Sequence, residues 1–341
     1  MPLLKKIVFS LGTFAVVGAM LLGVVLVGEW AVRITLPMFS PSSQIRFVRG
    51  LTDKPTLGPV NTVLRQTKNT GEFDVEIRFN RHGFRDSRDI SKARRDGIIM
   101  VGDSISFGWG VEEIHRLSER LEKSFGKPVY NISMPGNLNM TERLLRYAEK
   151  LGARAQTVII VFAPEARLQN YHAESIKPIS QRSGSPLLRM IKEYLTLNSA
   201  LYTLLTSFVH QNAVLRNWAV DIGFITTIEE GIPLQRYDQA TIDSSVRRLG
   251  EITLLAKRSV IVLAPARGIW NEKTSISARR IHKALVHQIT DAGLDVVDPM
   301  PAFEKGGNVL DYFYKTDGHW SPAGHALVAD LIAARLNAPA K

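Results

Sequence analysis

Beyond residue 97, short continuous apolar runs alternate with longer segments in which apolar residues recur at helical spacing. The apolar runs are GIIMVG (97–102), VYNIS (129–133), TVIIVFA (157–163), SVIVLA (259–264) and LDVVD (294–298). One helical segment follows Ser104, and the others cover 141–152, 241–258, 277–293 and 321–336. Continuous apolar runs are typical of strands buried on both faces of a parallel sheet. The pattern predicts an α/β fold, a three-layer doubly wound parallel sheet whose ligands bind beyond the carboxyl ends of the strands.

An uncharged apolar run covers residues 7–27, after Lys5 and Lys6. A helix needs about 20 apolar residues to cross a bilayer, and lysines before it favour a cytoplasmic N-terminus. The competing interpretation is a signal peptide cleaved after the small residues 17–19, but the apolar run extends well past them. We therefore expect an uncleaved single-pass anchor at 1–34 in the inner membrane of a bacterium, with the rest of the chain in the periplasm.

A connector with one β segment is predicted between the anchor and the sheet. Residues 35–65 hold four prolines among polar residues, which favours a non-helical course. The residues that then alternate with polar positions are Phe73, Val75, Ile77 and Phe79. This alternation indicates a half-exposed strand that ends at a turn around Gly83. The predicted connector covers 35–90, and the α/β domain covers 91–341.

An insertion of roughly 75 residues, at about 166–240, separates the third and fourth predicted strands and is far longer than a usual α/β connection. Its middle, at 185–211, shows helical spacing of apolar residues. One interpretation is a helical subdomain packed on the core. The other is a lid, an acyl-binding wall or an amphipathic contact with the membrane, and both interpretations can hold together.

Composition narrows the classes of function. The 341 residues carry a formal net charge of +11, but the lysines and arginines are scattered, and we find no recognition motif or aromatic platform beside them. Nucleic acid is therefore not expected as a partner, and the basic surface suits anionic lipid headgroups or an acidic polymer. The absence of cysteine excludes disulfides and thiolate chemistry. With no phosphate-binding loop and no dinucleotide fingerprint, we expect no cofactor.

Three histidines are interpreted as structural or solvated. His282 and His287 lie on one predicted helix, and His325 lies inside the last helix. None of them forms an H-E-x-x-H pair. We therefore expect no metal site.

Ser104 lies directly after the first strand of the predicted sheet, in the turn Gly102-Asp103-Ser104. A serine there exposes its hydroxyl, and its N–H lies at a helix start, where the helix dipole favours an anion. Near the C-terminus, Asp317 and His319 are two positions apart in the loop before the last helix. Taken singly, the serine would be a helix cap and the histidine a surface residue. Because both segments are expected at one edge of the sheet, we predict Ser104 as nucleophile, His319 as general base and Asp317 as the residue that orients it.

These motifs resemble those of the SGNH, or GDSL-type, hydrolases, in particular the bacterial envelope members with an N-terminal membrane anchor. The matching blocks are NRHGFR (80–85), VGDSISFGWGV (101–111), NISMPG (131–136), DGHW (317–320) and GH (324–325). The resemblance implies a flavodoxin-like SGNH hydrolase fold for 91–341, with Ser104, His319 and Asp317 as the triad. It also implies that the N–H groups of Ser104 and Gly136 form the oxyanion hole. For Gly136, the residues alone leave an ordinary turn glycine as the alternative.

Two departures from the family pattern bear on function. The D-x-H spacing is shorter than the usual D-x-x-H, and it is similar to that of alginate O-acetyltransferase-type members, which act on exported polysaccharides. The third block, where the family has an Asn as a side-chain oxyanion donor, reads FAPE (162–165) here. Loss of one such donor costs about 2.7–4 kcal/mol in the transition state. Asn170 or Asn137 is a candidate to replace it.

The sequence thus predicts a membrane-anchored serine esterase of the cell envelope. The expected substrate is an acyl ester, such as an O-acetyl group on a polysaccharide. One alternative is an O-acetyltransferase for an exported polysaccharide. Another is a non-catalytic member that binds or assembles an envelope polysaccharide complex.

Overall fold

The computed structural model describes residues 2–41, 44–48, 50, 54–68, 70–164, 167–171, 186–222, 238–270 and 275–338. The chain divides into two compact units. The smaller unit combines Met1–Gln44, Asn69–Gly71 and Ser180–Ile225. The larger unit combines Ile45–Lys68, Glu72–Ile179 and Thr226–Lys341.

Strands and helices follow one another along most of the described chain. The strands are β1 (Thr62–Thr67), β2 (Asp74–Phe79), β3 (Ile98–Gly102), β4 (Val129–Asn131), β5 (Thr157–Phe162), β6 (Arg258–Leu263) and β7 (Val296–Val297). The first helices are α1 (Pro2–Thr35), α2 (Ser104–Phe107), α3 (Leu117–Phe125), α4 (Leu138–Lys150), α5 (Pro186–Asn198) and α6 (Ala200–Gln211). The remaining ones are α7 (Ala213–Asp221), α8 (Gln239–Thr253), α9 (Ser275–Asp291), α10 (Met300–Lys305) and α11 (Pro322–Asn337).

The larger unit is built on a parallel sheet with the strand order β4-β3-β5-β6-β7. This is the 2-1-3-4-5 order of flavodoxin-like folds, in which ligands bind at the switch point beside the first strand. Here β3 is that first strand, and Ser104 follows it. The predicted doubly wound α/β fold is confirmed. Each strand of the sheet coincides with a run that predicted it, and only β6 starts outside its run, one residue earlier at Arg258.

Helices cover both faces of this sheet and give the fold three layers. On one face, Met100, Ile159 and Val262 share a core with residues of α3 and α11. On the other, Val101 and Ile160 share a core with residues of α4, α8 and α9. Neighbouring residues of a strand point to opposite faces, so a continuous apolar run fills both cores.

A two-stranded antiparallel hairpin of β1 and β2 packs against the second of these cores. Thr62 pairs with Phe79 and Thr67 with Asp74. Ile77 and Phe79 are fully buried in the cluster that also contains Val101. The alternation predicted β2. Its partner β1 begins in the stretch 35–65, which is expected only to be non-helical, and the hairpin groups with the sheet in the larger unit.

The smaller unit contains α1 and the insertion helices α5, α6 and α7. One helix of the described chain, at Gly12–Thr35, is long and apolar enough to cross a membrane, with a mean hydropathy of 2.1. A segment with these properties serves as a membrane anchor or as a signal sequence. The helical middle predicted for the insertion is present in α5 and α6, and residues 172–185 and 223–237 lie outside the described part.

Candidate active site

Ser104 is the first residue of α2, one position beyond the buried Asp103. The Asp103 carboxylate accepts hydrogen bonds from the N–H of Ile105 at 2.9 Å and from the N–H of Ala163 at 3.1 Å. It thus caps α2 and also ties the turn to the end of β5. Burial raises the pKa of Asp103, and the charge of Arg167 and these N–H groups oppose that effect. Gly102 is sterically required, because a Cβ there would lie 2.3 Å from the carbonyl oxygen of Val161.

The loop before α11 brings an imidazole to this serine. His319 Nε2 lies 2.7 Å from Ser104 Oγ. On its other side, His319 Nδ1 is hydrogen-bonded to Asp317 Oδ1, which also accepts from the His319 backbone N–H at 3.1 Å. The loop is closed behind the histidine by a β-bridge between Phe313 and Trp320. The three predicted triad residues therefore lie in the order that general-base activation of a serine needs.

The far oxygen of Asp317 is held by a residue that the sequence patterns did not indicate. Lys68, directly after β1, donates from Nζ to Asp317 Oδ2 at 2.8 Å. Burial alone would raise the pKa of Asp317, but the His319 ring and the Lys68 ammonium outweigh it and hold that pKa well below its usual range. Glu72, just before β2, accepts from the Thr316 N–H at 2.8 Å. Lys68 and Glu72, at the two ends of the turn between β1 and β2, thus both bind the loop that carries Asp317.

Trp109 lies against the open face of His319, with ring centroids 5.5 Å apart and an interplanar angle of 23°. Its loop is held by Arg85, which donates to the carbonyl oxygens of Gly108 at 2.5 Å and Val111 at 2.6 Å. Trp109 belongs to the block that suggested the family, but the pattern did not assign it a role. The geometry makes it a wall that limits rotation of the imidazole.

The segment after β4 runs beside the end of β3. The Met134 N–H donates to the carbonyl oxygen of Gly102 at 3.2 Å, and Gly136 follows two residues later. A Cβ on Gly136 would lie 2.6 Å from the Cβ of Met140, so close approach to α4 requires glycine here. Within the described residues, the N–H groups of Ser104 and Gly136 make no hydrogen bond. The described residues thus leave both N–H groups open to an oxyanion, and their role in an oxyanion hole stays a prediction.

The two asparagines named as replacement donors have different surroundings. Asn137 is the N-cap of α4, and its Oδ1 accepts from the Met140 N–H at 3.2 Å. This hydrogen bond occupies the amide oxygen of Asn137, so its amide nitrogen Nδ2 is the atom that would donate to an oxyanion. Asn170 is exposed, and its Oδ1 accepts from Ser244 Oγ at 3.2 Å. Asn137 directly follows Gly136, whereas Asn170 belongs to the segment after β5.

The histidines interpreted as structural or solvated have surroundings of their own. His282 is fully buried and bonds through Nε2 to Asp298 Oδ1 at 2.8 Å, while the exposed His287 pairs with Asp291 on the same helix. His325 is also buried, and burial together with the charge of Arg85 lowers its pKa to about 3. His325 is therefore neutral at neutral pH.

Three carboxyl groups of the described chain, those of Asp86, Glu113 and Glu119, are close enough together to share a cation. Arg88 and Arg116 already bind them: Arg88 Nη1 lies 3.0 Å from Asp86 Oδ1, and Arg116 Nη2 lies 2.7 Å from Glu119 Oε1. Two guanidinium groups thus compensate the charge that would attract a metal. The cluster holds the segment before β3 against α3.

Several solved structures are similar to this chain at low sequence identity. A lipase/acylhydrolase from Enterococcus faecalis is 12% identical, with a TM-score of 0.43, over 71% of this chain and 95% of that one. A lipolytic protein of the G-D-S-L family from Veillonella parvula is 13% identical, with a TM-score of 0.41, over 70% and 96%. A carbohydrate esterase family 2 enzyme with a carbohydrate-binding domain from Corynascus thermopiles is 10% identical, with a TM-score of 0.39, over 72% and 66%.

No curated relative matches the chain. Residues 255–341 match the family model described as ALGX: SGNH hydrolase-like domain, acetyltransferase AlgX. The matched part runs from before β6 to the C-terminus and contains both Asp317 and His319. The predicted resemblance to the SGNH enzymes, with a likeness to the alginate O-acetyltransferase type, is therefore confirmed for this C-terminal part of the chain.

Proposed function

We propose that this chain is a serine esterase of the cell envelope that removes acyl groups, of the O-acetyl kind, from an ester substrate. The observation that carries the proposal is the 2.7 Å contact between Ser104 Oγ and His319 Nε2, with Asp317 on the other ring nitrogen. An anionic Asp317 favours the proton on Nδ1, because a carboxylate accepts there and leaves Nε2 free to act as the base. The low pKa of Asp317 keeps it anionic at neutral pH.

The reaction then follows from the positions of these groups. Ser104 Oγ attacks the ester carbonyl carbon while His319 Nε2 takes its proton, and the N–H groups of Ser104 and Gly136 stabilise the oxyanion. When the tetrahedral intermediate collapses, the carbon–oxygen bond to the alcohol breaks and His319 gives the proton to the departing oxygen. Water, deprotonated by His319, attacks the acyl-serine. The carboxylic acid leaves, and Ser104 recovers its proton.

A fluorophosphonate probe tests the nucleophile directly. The wild-type protein should be labelled, and Ser104→Ala should not be. Ser106→Ala is the matched control, because Ser106 lies in the same turn but its hydroxyl is fully buried against the Asp103 carbonyl oxygen. Labelling that persists in Ser104→Ala would remove the assignment of Ser104. An unlabelled wild-type protein that still supports its cellular role would favour the non-catalytic alternative.

Acetyl transfer to a polysaccharide is the second candidate, and the match of residues 255–341 to an acetyltransferase-type domain favours it. The first half of the reaction is unchanged, and a sugar hydroxyl replaces water in the second half. With p-nitrophenyl acetate and an oligosaccharide acceptor, a transferase yields acetylated oligosaccharide by mass spectrometry, whereas an esterase yields free acetate. Ser104→Ala should abolish either product.

The proposal includes a single-pass anchor in the inner membrane, with the N-terminus in the cytoplasm and the larger unit in the periplasm. Its support is the apolar helix Gly12–Thr35 together with Lys5 and Lys6 before the apolar run. Protease added to spheroplasts should degrade the larger unit, and the protein from the membrane fraction should retain its N-terminal residues. A shortened N-terminus in the mature protein would show that the segment is a signal peptide.

A further inference from the structure

We propose that the insertion helices α5 and α7 form a second membrane-binding surface, which lies on the outer leaflet of the bilayer that holds α1. The occupant of this surface is lipid, at the boundary between acyl chains and headgroups. The inference rests on the proposed anchoring, and it goes beyond it because the surface is built from residues that lie far from the anchor in sequence.

The first observation is an apolar stripe that faces outward on α5. The stripe consists of Leu187, Met190, Ile191, Tyr194 and Leu197, which are between 47% and 67% exposed. Their spacing of three and four residues puts them on one side of the helix. In a soluble protein such a stripe faces the core. On α5 the apolar side of the helix is exposed instead, so it contacts either solvent or a binding partner.

A second stripe lies on α7 and just beyond its end. Val214, Trp218 and Ile222 are 76%, 61% and 56% exposed and recur every four residues. Both helices belong to the smaller unit, and exposed apolar stripes of this kind mark interaction surfaces. Tyr194 and Trp218 are the residue types that bilayer interfaces favour, because each has an apolar ring and a polar end.

The second observation ties these helices to the end of the apolar segment. Glu29 lies two positions after the uncharged apolar run 7–27, and its carboxylate accepts from the N–H of Ala200 at 2.8 Å and of Leu201 at 3.0 Å. It therefore caps the N-terminus of α6. Arg33 Nη2 donates to the carbonyl oxygen of Asn198 at 2.6 Å, at the C-terminus of α5. Glu29 and Arg33 thus hold the junction between α5 and α6 next to the end of the uncharged apolar run of α1.

This connection selects lipid as the occupant. A helix rises about 1.5 Å per residue, so the stripe on α5, which ends one residue before Asn198, starts within about 20 Å of the membrane boundary. Helices with an exposed apolar face at that level lie in the plane of the interface, with that face among the acyl chains. A surface that faces a soluble partner would not need to be fixed to the end of a membrane helix.

Depth measurements on the full-length protein in vesicles test the inference. The chain has no cysteine, so single cysteines can carry nitroxide labels without further changes. We expect labels at Met190 and Trp218 to be reached by oxygen and protected from a water-soluble nickel chelate, in vesicles of phosphatidylethanolamine and phosphatidylglycerol. Labels at Thr196 and Ala213, exposed positions off the stripes, should show the reverse. A label at Ala19 in α1 reports the anchor.

The possible outcomes separate the two proposals. If Ala19 is in lipid while Met190 and Trp218 are open to the chelate, the interfacial surface is refuted and the anchor stands. If Ala19 is also open to the chelate, the anchor itself fails. If the labels on the stripes are shielded but their spectra sharpen when labelled protein is diluted with unlabelled protein, the stripes contact a second copy, which also overturns the lipid assignment.

Discussion

Lys68 is the residue whose replacement tests the candidate site most sharply. In Lys68→Met, Asp317 keeps its contact with His319 but loses the ammonium on its far oxygen. The ammonium opposes the positive charge that His319 gains when it is protonated. Its removal therefore stabilises the imidazolium, which cannot act as a base, and the acid limb of the activity profile should move to higher pH.

The size of the shift follows from the geometry. Lys68 and His319 bind opposite oxygens of one carboxylate, so their charges are roughly 6 Å apart, and Coulomb's law gives about 3 kcal/mol at an effective dielectric of 20 and below about 1 kcal/mol in bulk water. The Lys68 side chain is 19% exposed and that of Asp317 is 8% exposed, which places the pair between these limits. An intermediate value of about 1.4 kcal/mol corresponds to roughly one pH unit.

The assay is kcat/KM for p-nitrophenyl acetate as a function of pH, with Lys68→Arg as the control that keeps the charge. Lys68→Met should shift the acid limb upward by about one unit, and Lys68→Arg should leave it in place. The reasoning is refuted if Lys68→Met lowers only the plateau and leaves the limb where it was. That result would mean that Lys68 only packs the loop. An equal shift in both variants would refute the role of the charge.

Substitutions at three further positions test neighbouring parts of the site. Asn137→Ser keeps a capping side chain on α4 but removes the amide donor. We therefore expect kcat to fall about 100- to 1,000-fold with little change in Tm. An unchanged kcat would show that Asn137 is not the oxyanion donor. Asn170→Ser, the matched variant, should leave kcat intact, and a fall there instead would transfer the donor role to Asn170. Trp109→Ala should lower kcat/KM about 3- to 10-fold through the loss of stacking on His319, while Trp109→Phe retains most of the activity; equal losses would contradict stacking as the cause.

The sheet and the positions of Ser104, Asp317 and His319 could be predicted because simple rules connect them to the sequence. Apolar runs mark strands buried on both faces, and a parallel sheet brings the ends of its strands to one edge. A serine after the first strand and an imidazole before the last helix then meet there. The prediction did not depend on details of side-chain packing.

Lys68 could not be predicted in the same way. β1 begins inside the proline-containing stretch 35–65, which predicts only a non-helical course, and its six residues are too few to reveal a strand without its partner β2. A lone lysine at the end of such a segment gives no sign of a carboxylate far along the chain. Whether Asn137 or Asn170 replaces the missing oxyanion donor is equally hidden in the sequence, because it depends on the direction of a side-chain amide.

The contact between Lys68 and Asp317 joins residues 249 positions apart. During synthesis the hairpin is made early, whereas the loop with Asp317 and His319 comes only just before the last helix. A nascent or C-terminally trimmed chain therefore holds the serine but not its base. A protein shortened to begin at residue 91 would have the sheet, yet it would lack the lysine that supports the acid. We therefore expect full activity only from a chain that contains both the hairpin with Lys68 and the C-terminal loop with Asp317 and His319.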